Sequence, residues 1–241
     1  MDLGIAGKVA LVTASSKGLG LASARALAAD GARVVICGRD GDTLSAAEAS
    51  LRADGAEVLA VPADVTDPAT PAALVAATLE RFGRLDILVA NAGGPPAGRA
   101  LDVTDEQIAS AVDANLTTSV RLVRHTLPSM QGAGWGRICC ITSVSVKQPI
   151  ADLALSNLAR TGLWAWAKTA ARDLFPSGVT LNLACPGAHA TDRMRQLGGR
   201  TGPMGDPDDF GKVVAFLCSQ AAAFITGSAV LVDGGAVAGL L

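Results

Sequence analysis

Seven short apolar runs, separated by stretches long enough for helices, constrain this chain more than any other feature. They are Lys8–Thr13, Arg33–Cys37, Val58–Val61, Ile87–Ala90, Ile138–Thr142, Val179–Ala184 and a last one near Ala229–Val232. The runs are continuous rather than alternating, so as strands they are buried on both faces, which requires a parallel sheet covered by helices. Right-handed crossovers then predict a doubly wound, seven-stranded parallel α/β sheet. Pro68, Thr104 and Pro207 are expected helix starts, because proline fits a first turn and threonine caps free amides. With 241 residues, half of them hydrophobic, the chain can form one buried core, and residues 1–241 are expected to form one domain.

The first run is closed by Thr13-Ala14-Ser15-Ser16-Lys17-Gly18-Leu19-Gly20, and Leu19 to Ala29 follows at helical spacing. Strand, glycine-rich turn and helix make the Rossmann-type arrangement in which a pyrophosphate meets the amides of a helix start. Gly18 and Gly20 permit that close approach, whereas Ala14 is expected to keep φ below zero and alter the turn slightly. The second run ends Cys37-Gly38-Arg39 with no carboxylate for a free ribose 2′-hydroxyl. Arg39 and Lys17 can instead clamp a 2′-phosphate, which selects NADP(H), although Asp40 stands close by.

Further residues follow in order, most of them at successive strand ends: Asp64-Val65, Asn91-Ala92-Gly93, then Asn115 in a helical stretch, Ser143, Pro186-Gly187 with Thr191, and Asp233-Gly234-Gly235. In content and order the set resembles the short-chain dehydrogenase/reductase family, and within it the 3-oxoacyl carrier-protein reductases. The resemblance implies that Asp64 and Val65 meet the adenine and that Asn91, Ala92 and Gly93 lie beneath the adenosine ribose. Pro186, Gly187 and Thr191 would hold the nicotinamide amide, while Thr13, Ser15, Ser16, Lys17, Gly18, Leu19 and Gly20 would form the phosphate loop. Read from the residues alone, Asp64 could equally cap a turn before Asp67-Pro68, and Pro186-Gly187 could simply end a strand.

One departure stands out. The family uses Tyr-x-x-x-Lys thirteen residues beyond its active-site serine, and this chain contains no tyrosine; Ser156 and Arg160 occupy those positions. The resemblance places Asn115 and Ser143 in the catalytic set, with Ser156 and Arg160 completing it on one helix face. A serine hydroxyl is shorter than a phenol and far less acidic, and an arginine keeps the cation that would hold the nicotinamide ribose but releases no proton. A proton must then come from a water among Ser143, Ser156 and Asn115, or from a relocated group: Lys147, His189 or Asp152. Hydride transfer from NADPH to a carbonyl, iminium or conjugated alkene is the expected reaction; an iminium asks least of an acid. The alternative is an NADP(H)-binding scaffold or non-redox enzyme in the same cleft.

The net charge of −2 and the absence of basic runs leave no footprint for nucleic acid. No 18-residue apolar stretch and no basic-then-apolar start occur, so no membrane partner is expected and a cytoplasmic location is. The five cysteines read as small buried hydrophobes, and with two histidines and no Cys-x-x-Cys no structural metal is expected. The irregular stretch 187–206 carries five glycines and corresponds to the family's substrate lid. Trp164 and Trp166 read as packing at a subunit contact, and the apolar ending 236–241 suits burial against a neighbour. A homo-oligomer, specifically a tetramer, acting on a small-molecule substrate is expected.

Overall fold

Strands without a polar face need cover above and below, and the connections supply it. The computed structural model describes residues 2–198 and 202–240; Gly199, Arg200 and Thr201 of the expected lid, and Leu241 of the apolar ending, lie outside the described residues. The elements are β1 (Val9–Val12), α1 (Gly18–Ala29), β2 (Arg33–Gly38), α2 (Gly41–Ala53), β3 (Val58–Pro62), α3 (Thr70–Phe82), β4 (Ile87–Ala90) and α4 (Asp105–Val112). They continue with α5 (Thr118–Gly132), β5 (Gly136–Ile141), α6 (Ala154–Leu174), β6 (Val179–Pro186), α7 (Asp192–Gln196), α8 (Pro207–Leu217) and β7 (Ala229–Val232). All seven strands pair in parallel in the order β3-β2-β1-β4-β5-β6-β7.

Because successive side chains leave a strand on opposite sides, each strand feeds two cores. Ala10, Val12, Val34 and Ile36 pack under α1, α2 and α8 with Leu27, Leu51 and Phe210. Val9, Leu11, Val35 and Leu88 pack against α3, α5 and α6 with Leu74, Leu122 and Leu163. Each fully buried large side chain contributes about 1.5–3 kcal/mol, so the two cores dominate the stability of the domain. No helix among the described residues is long and apolar enough to cross a membrane.

Two of the expected helix starts hold. Thr104 Oγ1 accepts from Gln107 N at 3.3 Å while Gln107 Oε1 accepts from Thr104 N at 2.9 Å, and Pro207 follows the cap Asp206. Pro68 does not start a helix. Asp67 Oδ1 accepts from Ala69 N at 2.9 Å in a side-chain-capped turn, and α3 begins at Thr70 with Pro71 in its first turn. Between α4 and α5 the chain makes one π turn, Asp113–Thr117, so the two run on as a long helix with a wider turn at Asn115.

The strand order reverses between β1 and β4, where the connections leave the sheet in opposite directions and a crevice opens at the strand ends. The turn after β1 bears a correction: Ala14 has φ 45°, the one positive φ at a non-glycine among the described residues. The expected negative φ is overridden because Ser15 N donates to Cys37 O at 2.8 Å and Asn91 Nδ2 donates to Ala14 O at 3.0 Å, holding the glycine-type geometry. A left-handed alanine is strained by about 1–2 kcal/mol. Ala14→Gly should therefore raise unfolding stability by roughly 0.5–1 kcal/mol after the added entropy of the unfolded glycine. Denaturant titration checks this, and a lower midpoint at unchanged slope would show that the turn is relaxed with alanine.

Candidate active site

The crevice at the β1/β4 reversal continues across the ends of β5 and β6 as one cleft of about 1090 Å³. Ser16, Lys17, Gly18 and Leu19 line it at the start of α1, but Thr13, Ser15 and Gly20 do not. Thr13 and Ser15 are fully buried, and their hydroxyls work inside the fold. Thr13 Oγ1 donates to Asn91 O at 2.7 Å and accepts from Asn91 N at 2.9 Å; Ser15 Oγ donates to Val12 O at 2.6 Å and accepts from Cys37 N at 3.1 Å. These residues hold the loop rather than face a ligand. A Cβ on Gly20 would lie 2.6 Å from Ala14 O and 2.8 Å from Asn91 Nδ2, so the helix can sit this close only with glycine there.

Arg39 lines the cleft just beyond β2, with its side chain 76% exposed and Nη1 3.9 Å from Asp64 Oδ2. Asp64 lines it too and also caps a turn, since its Oδ1 accepts from Thr66 N at 3.0 Å and from Thr66 Oγ1 at 2.8 Å. Those hydrogen bonds, aided by Arg39, hold its carboxyl below the ordinary carboxylate range. Val65, Ala92, Gly93, Pro186, Gly187 and Thr191 line the remaining wall. Thr191 Oγ1 accepts from Met194 N at 3.4 Å and so caps α7 as well.

Asn115, Ser143, Ser156 and Arg160 all reach the same cleft. Asn115 sits in the π turn, buried, with Oδ1 lacking any protein partner and Nδ2 donating to Ala111 O at 3.4 Å. Ser143 follows β5, and its Oγ accepts from Ser145 N at 3.1 Å. Ser156 lies in the first turn of α6 and Arg160 one turn on; they are 6% and 8% exposed. Arg160 Nη1 donates to Ile141 O at 2.9 Å. Burial, then the nearby Arg193, pushes the guanidinium down to about 10, which still leaves it a cation at neutral pH.

The three groups considered as relocated acids separate. Lys147 stacks over the Trp164 ring at 4.1 Å and does not line the cleft. Asp152 lines its rim and is exposed. His189 is buried at the base of the expected lid, with Nδ1 3.2 Å from Gly187 O and its ring edge-on to Phe210. The ends of the 187–206 stretch are tied together: Gly205 N donates to Ala188 O at 2.9 Å and Ala190 N to Gly205 O at 3.0 Å. Arg193, which the sequence reading passed over, reaches from α7 across the cleft mouth to donate to Pro95 O at 2.5 Å. An irregular, glycine-rich stretch has no periodicity from which its direction could be read; its position two residues after Thr191 was the one available signal.

Comparison with known proteins agrees with this geometry. A family model described as "Enoyl-(Acyl carrier protein) reductase" matches residues 13–237. The human "Dehydrogenase/reductase SDR family member 4" is 34% identical over 244 residues, covering 96% of this chain and 88% of that protein. A putative ketoacyl reductase of the monensin polyketide synthase from Streptomyces virginiae is 34% identical, covering 95% of this chain and 96% of its own length. The crystal structure of L-sorbose reductase from Gluconobacter frateurii, complexed with NADPH and L-sorbose, superposes with a TM-score of 0.93 at 32% identity over all of both chains. Sequence motifs, sheet order and relatives converge, and the chain belongs to the short-chain dehydrogenase/reductase family.

Proposed function

We propose that this oxidoreductase passes hydride from NADPH to a carbonyl, iminium or conjugated alkene carbon of a small molecule. The observation that carries the reading is the wall formed by Asn115, Ser143, Ser156 and Arg160 on one cleft with the phosphate loop. The L-sorbose reductase structure with NADPH, at 32% identity, supports the cofactor. Ser16, Lys17, Gly18 and Leu19 would receive the pyrophosphate, Asp64 and Val65 the adenine, Asn91, Ala92 and Gly93 the adjoining ribose, and Pro186, Gly187 and Thr191 the nicotinamide amide. Thr13, Ser15 and Gly20 support that cradle from within.

Arg39 and Lys17 make the choice of nucleotide. Their ion pairs, at 3.9 Å to Asp64 and 3.8 Å to Asp192, are exposed, and such pairs are worth about 0–1 kcal/mol. A charge-assisted hydrogen bond to phosphate contributes about 1.5–3 kcal/mol, so a 2′-phosphate displaces the carboxylates.

Ser143 Oγ would polarise the substrate, Arg160 would hold the nicotinamide ribose, and Asn115 Oδ1, buried without a partner, would hold a water that relays a proton. Ser156 leaves open the space a phenol would fill. The inner wall thus consists of hydroxyls, an amide and a permanent cation, which favours a substrate that needs little acid, such as an iminium or conjugated alkene. The same open position also supports the second reading, a nucleotide-binding scaffold without turnover. For either, a cytoplasmic homo-oligomer, specifically a tetramer, is proposed; support comes from Phe224, 89% exposed, stacked edge-to-face on Phe175 at 5.8 Å on the surface.

Three variants test this reading. Arg39→Asp should reverse the preference from NADPH to NADH in direct binding titrations, by roughly tenfold or more each way; equal loss for both nucleotides would refute the 2′-phosphate assignment. Ser156→Tyr restores an acid that a neighbouring cation makes stronger, so NADPH oxidation with generic ketones should rise by about tenfold or more. Ser143→Ala should lower kcat of any turnover by about 100-fold, and an unchanged kcat would remove Ser143 from the chemistry.

A further inference from the structure

The cleft holds two guanidinium groups that no carboxylate neutralises. Lys17, Arg39 and Arg195 each form an ion pair, but Arg160 and Arg193 form none among the described residues. Arg160 is nine-tenths buried and makes one hydrogen bond, to Ile141 O. Arg193 is half-buried, and a Cβ on Gly94 would lie 3.1 Å from its Nε, so the guanidinium rests against the backbone of the opposite wall. Both line the same cleft, and the charge of Arg193 makes that of Arg160 less favourable. Asp192, the carboxylate next in sequence, is turned to Lys17 and Arg195. The cleft carboxylates Glu106 and Asp152 pair with neither arginine.

A buried cation with unused donors and a second cation beside it is unfavourable unless an anion enters. A planar guanidinium takes a carboxylate through two parallel hydrogen bonds. We infer that Arg193, with the charge of the ribose-holding Arg160 behind it, binds a carboxylate of the substrate, so that the chain acts on an oxo acid, or the corresponding iminium or unsaturated acid, rather than on a neutral compound. This rests on the reductase reading above. The other negative charges in the cleft belong to the dinucleotide: its 2′-phosphate, assigned to Arg39 and Lys17, and its pyrophosphate. The substrate is favoured because Arg193 is anchored on Gly94 and Pro95, beyond the Asn91-Ala92-Gly93 stretch assigned to the ribose, while the pyrophosphate has the start of α1.

The test is ligand-observed NMR on the NADP⁺-loaded protein with acetoacetate, levulinate and their methyl esters, with NADPH oxidation followed separately. At least one acid should bind about tenfold or more tighter than its ester. Arg193→Gln should weaken that acid by roughly 30-fold, leave the ester within about threefold and leave NADP⁺ affinity unchanged, and Arg193→Lys should retain part of the preference. If Arg193→Gln weakens NADP⁺ as much as the acid, the arginine serves the pyrophosphate and the inference falls. It falls equally if no acid binds at millimolar concentration, or if esters bind as well as acids. Acid binding without NADPH oxidation would uphold the carboxylate site and count against the reductase reading; oxidation supported by neutral ketones alone would do the reverse.

Discussion

The site depends on how the ends of β1 and β4 are held apart and yet joined. Where the strand order reverses, a crevice opens beyond the strand ends, and the backbone there must find partners without closing it. Thr13 and Asn91 solve this by exchange: one hydroxyl donates to the Asn91 carbonyl and accepts from its amide, and the Asn91 side chain donates to Ala14 O. That network forces Ala14 into a left-handed conformation and brings Gly20 against it. Everything the cleft does downstream, from the position of the α1 start to the line of residues on β4, is set from this corner.

The second constraint is electrostatic. An arginine four residues beyond Ser156 is carried inward on the same helix, and Ile141 O gives it a single anchor. A lysine would present one compact charge there; a guanidinium presents five donors in a plane and keeps its proton at any ordinary pH. The change therefore exchanges a group suited to tuning a neighbouring acid for one suited to holding an anion. With serine at position 156 the cation has no phenol to tune, which leaves it the ribose-holding role proposed above. The π turn carries Asn115, which lines the same cleft and whose side-chain oxygen is buried without a protein partner.

Much of this was legible from residue order alone. Continuous apolar runs determined a parallel sheet with helices on both faces, because the strand positions of both parities are apolar and both faces need cover. Ile87–Ala90, buried along its whole length, has the bounds its apolar run predicts, and the last strand lies where Ala229–Val232 placed it although it is only partly buried. The glycine-rich turn, the missing carboxylate after Gly38, and Ser156 with Arg160 in place of a tyrosine and lysine are all local facts of the chain. Pro68 misled because proline fits a turn as well as a helix start, and Asp67 decides for the turn.

What the tertiary structure alone decided are matters of which atoms meet. Thr13 and Ser15 belong to the loop's interior rather than its surface, because they have partners just after β4 and on β2, distant in sequence. Ala14 takes a positive φ because two hydrogen bonds from remote strands outweigh a local preference of about 1–2 kcal/mol. Lys147 is drawn from the cleft by the Trp164 ring, and Arg193 is brought into it by a carbonyl nearly a hundred residues earlier. The sequence determined the sheet, the loop and the missing acid, since these follow from local pattern and residue type; the charge balance of the cleft depends on contacts between distant segments, and only the folded chain contains them.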